Sequence, residues 1–170
     1  SSKALIEEPG AALQYGATEG YNPLREQLAA FMASKGVKGL TPEGLIVTTG
    51  SQQALDLVAK TLLNPEDVAL VEAPTFLATI QCFRLYGPIV IGVPIDAHGV
   101  QVDKLESMMQ QHKPKLVYVI PTFGNPSGAL LTKERRLKIL QLAVQYKTIV
   151  IEDDPYGDLY FADAPPPIDG

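Results

Sequence analysis

Four short runs gather the residues whose types and spacing could do chemistry. The first, Thr49-Gly50-Ser51-Gln52, is a tight glycine turn running straight into a helical pattern. The exposed N–H groups and positive dipole end of such a helix start suit a phosphate, and Ser51 adds a hydroxyl donor; equally, Ser51 serves there as a plain N-cap and Gly50 as a turn residue. In the second run, Glu72-Ala73-Pro74-Thr75-Phe76, the aromatic offers a stacking face to a planar ligand or packs the core under the next helix. The third, 121–128, holds two prolines and two glycines around Asn125, whose amide both donates and accepts. Turn formation alone is the competing account of that run. The fourth is Glu152-Asp153-Asp154-Pro155-Tyr156. Carboxylates at a strand terminus are expensive to bury without a partner. A magnesium ion would take several of them, as in phosphoryl transfer. A protonated heterocyclic nitrogen would take one, with Tyr156 donating to a neighbouring oxygen. Solvated acids are the third account.

Nucleotide-binding glycine patterns, G-x-x-x-x-G-K-[ST] and G-x-G-x-x-G, are not formed at these runs, which disfavours a nucleoside triphosphate or a dinucleotide. His98 and His112 stand apart in a turn and at a helix end, and Cys82 reads as a buried small hydrophobe beside Phe83.

The elements that must position these runs alternate. Asn22-Pro23 reads as an N-cap and first helical residue, opening a helix with Leu24, Leu28 and Phe31 on one face and ending near Gly36. Strands are expected at 45–49, 68–72, 89–94, 116–120 and 148–152. Helices are expected from Gly50-Ser51, over 75–86, over 102–111, and from the Thr132 cap to about Tyr146 with Leu137, Leu140 and Val144 inward. Apolar strands separated by helices imply an α/β protein with a mostly parallel sheet and helices on both faces. Ligands in such sheets sit beyond the carboxyl ends of the strands, where the four runs fall.

The 170 residues have 46% hydrophobic and 19% charged residues and a mean hydropathy of +0.07, enough for a single folded core and too apolar for a disordered chain. A net charge of −5 without a basic run makes a poor nucleic-acid binder. No apolar stretch is long enough to span a bilayer as a helix, and no secretory signal is visible. One cysteine excludes an internal disulfide and fits a reducing, cytoplasmic setting. The chain lacks an initiator Met, so it is expected to begin inside a longer polypeptide.

Taken in order, the four runs resemble the pyridoxal-phosphate aminotransferases of class I/II, fold type I. The opening Tyr15-Gly-Ala-Thr-Glu-Gly20 followed by Pro23-Leu24-Arg25 is similar to that family's Y-x-x-x-x-G-x-x-x-L-R segment. The Ser-Gln and Asp-Asp-Pro-Tyr forms resemble the α-aminoadipate, kynurenine and branched-chain or aromatic subgroup. They resemble equally the aminotransferase-like domains of GntR-type regulators.

The resemblance implies that residues 1–170 are part of a cofactor-binding large domain, with 1–22 an irregular opening segment at a dimer interface and 163–170 a Pro-rich tail. It implies that Gly50, Ser51 and Gln52 hold the cofactor phosphate and that Phe76, where many relatives have Tyr, stacks on the pyridine ring. Asn125 and Tyr156 would hydrogen-bond the ring oxygen, with Asn125 also near the substrate carboxylate. Asp153 would pair with the ring nitrogen, keeping it protonated and the ring a better electron sink. Tyr15 would reach the phosphate of the other subunit in a homodimer.

The family's nucleophile, the lysine joined to the cofactor, follows the Asp-x-x-Tyr motif. No lysine of this sequence does, so it is expected beyond Gly170, and none of these residues is assigned a catalytic role. The 170 residues alone are expected not to transaminate. The expected activity is amino-group transfer between an α-amino acid and a 2-oxo acid, without a metal. The alternatives are the effector-sensing domain of a GntR-type regulator, a lyase of the same fold, and magnesium-dependent phosphoryl transfer through Glu152, Asp153 and Asp154.

Overall fold

The computed structural model describes residues 15–159, which divide into two compact units meeting in the chain at Thr49 and Gly50.

The first unit holds helix α1 (Asn22–Ser34), a 3₁₀ turn (Pro42–Gly44) and the extended stretch after it. Tyr21, not Asn22, is the N-cap of α1; Pro23 still falls in the first turn, where a missing N–H costs nothing. The Asn22 amide instead bridges its own helix, donating to Glu26 Oε1 at 2.6 Å and accepting from Arg25 Nη2 at 3.1 Å. Gly36, at φ +94°, ends the helix as expected. Leu24 and Phe31 are exposed and Ala29 is the buried residue.

The expected strand at 45–49 is not a member of the sheet. Its backbone is extended at Leu45, but the Val47 N–H is taken by the Glu19 carbonyl at 2.9 Å, and a Cβ on Gly20 would stand 2.7 Å from Val47 Cβ. β-branched composition favours extension; a strand also needs a neighbour to complete the ladder.

The second unit runs α2 (Ser51–Leu62), β1 (Val68–Ala73), α3 (Leu77–Arg84), β2 (Ile89–Asp96), β3 (Gly99–Val100), α4 (Val102–His112), β4 (Leu116–Val119), α5 (Lys133–Tyr146) and β5 (Ile149–Glu152). The sheet order is β3-β2-β1-β4-β5, parallel throughout except for the β2–β3 hairpin. The fifth strand is therefore β3, formed where the chain folds back after Asp96. Arg135 closes that hairpin: its Nη1 and Nη2 donate to the two Asp96 oxygens at 2.7 and 2.8 Å, and Nη1 also to the Gly99 and Val100 carbonyls. The Arg135 guanidinium, helped by the His98 N–H, holds the Asp96 carboxyl down to about 2.

Alternation along the strands loads both faces, as a parallel sheet requires. Ala69 and Val71 of β1 with Leu116 and Tyr118 of β4 pack under Leu55 and Ala59 of α2 and Cys82 and Phe83 of α3. Leu70 with Val117 and Val119 packs under Leu105 and Met109 of α4 and Ile139 and Leu142 of α5. The Tyr86 hydroxyl donates to Asp56 at 2.7 Å, tying the end of α3 to α2, and that carboxylate pushes the phenol up to about 12.

The face of α5 differs from expectation. Arg136, Ile139, Leu142 and Ala143 are buried, while Leu137, Leu140 and Val144 are exposed, Val144 at 80%. The helix is apolar on two stripes, so periodicity alone offers both. The stripe that turns inward includes an arginine because carbonyl partners await it (below). Thr132 caps the helix, accepting from the Arg135 N–H at 3.4 Å.

Candidate functional site

The register places Val71 beside Tyr118 and Tyr118 beside Ile151, so β1, β4 and β5 end along one edge of the sheet. Helix α2 enters β1 through the short connection 63–67, which puts the start of α2, at Ser51, on that same carboxyl edge. Four runs far apart in the chain thus meet at one edge for topological reasons.

At the start of α2 the N-cap is Gly50, with φ +133° and no side-chain cap bond; Ser51 is the first helical residue, which corrects its reading as the cap. A Cβ on Gly50 would meet nothing within 4 Å, so the backbone conformation, not space, requires glycine. Ser51 and Gln52 are exposed. The first-turn N–H groups of α2 and the positive end of its dipole face this edge.

Beyond β1, Phe76 is the N-cap of α3, so that helix begins later than its sequence suggests. The ring is half-buried and packed on the α2–α3 core cluster, which is the core-packing reading of Phe76. The neighbouring Thr75 hydroxyl is buried with no hydrogen-bond partner among the described residues, and the buried Thr79 hydroxyl lies against that of Tyr118.

Beyond β4, the loop of Asn125 is closed at its base by the Leu131 N–H on the Pro121 carbonyl, 2.8 Å, and further in by the Gly124 N–H on Ala129, 2.9 Å. Ser127 Oγ accepts from the Ala129 N–H inside it. Arg136 reaches the same base, donating from Nε to Leu131 at 2.8 Å and from Nη2 to Pro121 at 3.2 Å. Burial pulls the Arg136 pKa down, and the charges of Glu152 and Asp154 oppose that. Asn125 is half-buried within this braced loop.

Beyond β5, Asp153 is half-buried and extends the ladder by one bond, its N–H donating to Val119 at 3.0 Å. Its Oδ2 accepts from the Tyr118 hydroxyl at 2.6 Å. Tyr156 is half-buried just past it, its carbonyl accepting from the Leu159 N–H. One of three adjacent acids is therefore singled out by a phenol, and no group of three His, Cys, Asp or Glu suited to a metal occurs among the described residues.

The sequence reading did not select Tyr118, Glu72, Arg136 or Thr79. Tyr118, Glu72 and Thr79 each left a signal, a polar atom in a stretch otherwise apolar, which must find a partner or stay costly; Arg136, at the end of the charged run 133–136, left none. Glu72 is the clearest. It lies buried near the end of β1, its Oε2 accepts from the Ile120 N–H at 3.2 Å, and burial pushes its carboxyl up to about 7 against that bond. Tyr15 is fully exposed in the other unit.

The edge thus gathers the start of α2, the ring of Phe76, the half-buried Asn125 and Tyr156, and one carboxylate that accepts from a phenol. A family model of aminotransferase class I and II matches residues 2–168. The chain belongs to the class I and II aminotransferases. Among members of this aminotransferase family, the aromatic-amino-acid aminotransferase 1 of Thermococcus litoralis is 43% identical, over 96% of this chain and 41% of the relative. The crystal structure of the α-aminoadipate aminotransferase of Thermus thermophilus, complexed with N-(5'-phosphopyridoxyl)-L-leucine, superposes with a TM-score of 0.87 at 42% identity, over 96% of this chain and 40% of that one. The HTH-type transcriptional regulator YisV of Bacillus subtilis is 35% identical, over 93% of this chain and 33% of the regulator. The chain thus spans about two fifths of the aminotransferases it matches, and its sheet with helices on both faces is the fold type I large domain in part.

Proposed function

We propose that the full protein is a pyridoxal-phosphate-dependent aminotransferase acting on an α-amino acid and a 2-oxo acid. The observation that carries this reading is the single carboxylate, Asp153, which accepts from Tyr118 on the edge that also holds the start of α2. Bound there, pyridoxal phosphate supplies an electron sink and carries the amino group between substrates.

In this reading the amides at Gly50, Ser51 and Gln52 and the Ser51 hydroxyl bind the phosphate, fixing orientation away from the reacting atoms. Phe76 covers one ring face and keeps water from it. Asp153 holds a proton at the ring nitrogen, and Asn125 and Tyr156 donate to the ring oxygen, with Asn125 also binding the substrate carboxylate. The lysine nucleophile is assigned outside these residues, and the 170 residues alone do not turn over. We further propose a cytoplasmic homodimer in which Tyr15 serves the partner's phosphate.

The test is amino transfer by the full-length protein with pyridoxal phosphate, across a panel of amino acids and 2-oxo acids followed by mass spectrometry. Transfer supports the reading. Cofactor binding without turnover of any pair overturns it in favour of an effector-sensing domain, the reading supported by the likeness to the regulator.

A further inference from the structure

Tyr118 sits in the middle of the sheet with no exposed surface, and its phenol is held from two sides. Its ring meets that of Phe83, itself fully buried on α3, edge to face at a centroid distance of 6.0 Å. Its hydroxyl donates to Asp153 Oδ2 at 2.6 Å. The main chain of Asp153 is pinned to the same strand, through its N–H on Val119. One strand therefore fixes both the backbone and one carboxylate oxygen of Asp153, and the core fixes the donor.

The geometry points to Tyr118 as the positioning residue for Asp153: by occupying Oδ2 from a rigid site, it aims Oδ1 at a cationic N–H ligand on the carboxyl edge. This inference rests on the reading of Asp153 as the partner of the cofactor's ring nitrogen. A phenol suits the task better than a charged donor would. It leaves the carboxylate its charge, and burial together with the Asp153 carboxylate drives the phenol's pKa well above the ordinary tyrosine range, so it stays a donor at working pH. Replacing it by Phe keeps the ring and its contact with Phe83, and removes only the hydroxyl.

The experiment uses the cofactor-free full-length protein and equilibrium dialysis with two probes. One is pyridoxal phosphate; the other is its 1-deaza analogue, in which the ring nitrogen is replaced by C–H. The wild type is expected to prefer pyridoxal phosphate. Y118F is expected to lose about tenfold of that preference, the worth of one hydrogen bond to a charged group, while binding the analogue as the wild type does. Taking the ratio within each variant removes any change in folded fraction. Equal weakening of both probes in Y118F would overturn the inference and leave the reading of Asp153 standing, because a purely structural hydroxyl cannot tell N–H from C–H. No preference in the wild type would overturn both.

Discussion

The Arg136 guanidinium and the Pro121 carbonyl are joined at 3.2 Å, and that bond brings a buried positive charge to the base of the Asn125 loop. The partner bond to Leu131 closes the other side of the same base, so one side chain satisfies both ends of the excursion 121–131. Arg136→Met keeps much of the volume, takes the guanidinium donor from the buried Leu131 carbonyl and leaves the Pro121 carbonyl only its bond from the Leu131 N–H. It is expected to lower stability by about 3 kcal/mol in urea unfolding and to speed amide exchange at Gly124 and Leu131. Arg136→Lys should restore only part, because a point charge cannot replace a fork.

Glu72 makes stability depend on pH. Its folded pKa, about 7, lies above the unfolded value, so the fold carries no penalty while the group is protonated in both states, and stability falls as pH rises from about 4.5 through 7. Glu72→Gln keeps an oxygen for the Ile120 N–H and removes the charge. Its unfolding free energy in urea should match that of the wild type near pH 4 and exceed it at pH 8, by up to about 3 kcal/mol.

Gly50 is held at φ +133°. Gly50→Ala finds open space but not an allowed conformation, and should cost about 1–3 kcal/mol in thermal unfolding. If the turn holds the cofactor phosphate, affinity for pyridoxal phosphate falls with it, whereas affinity for the unphosphorylated aldehyde does not.

The orientation of α5 is tested by a pair of truncations. Leu142→Ala, in the core, should cost about 2–5 kcal/mol in urea unfolding. Val144→Ala, on the exposed stripe, should stay within about 0.5 kcal/mol. The reverse ranking would restore the face that periodicity suggested.

Asp153→Ala tests the proposed chemistry directly. In the full-length protein it should lower kcat by about 10²–10³ with a smaller change in KM, the signature of lost charge stabilisation in the transition state. An unchanged kcat would remove Asp153 from the site.

The sequence alone determined the alternation of strands and helices, and with it the carboxyl edge on which Gly50, Phe76, Asn125, Asp153 and Tyr156 stand. Period and turn chemistry are local properties, so they are written in neighbouring residues. It could not decide whether 45–49 pairs or which stripe of α5 turns inward, because a strand is defined by its neighbour and an ambiguous helix by what it meets. Nor could it select Tyr118, Glu72 and Arg136. Tyr118 and Asp153 are 35 residues apart, Glu72 and Ile120 are 48, and the value of each polar atom in the core depends on a partner that only the tertiary structure supplies.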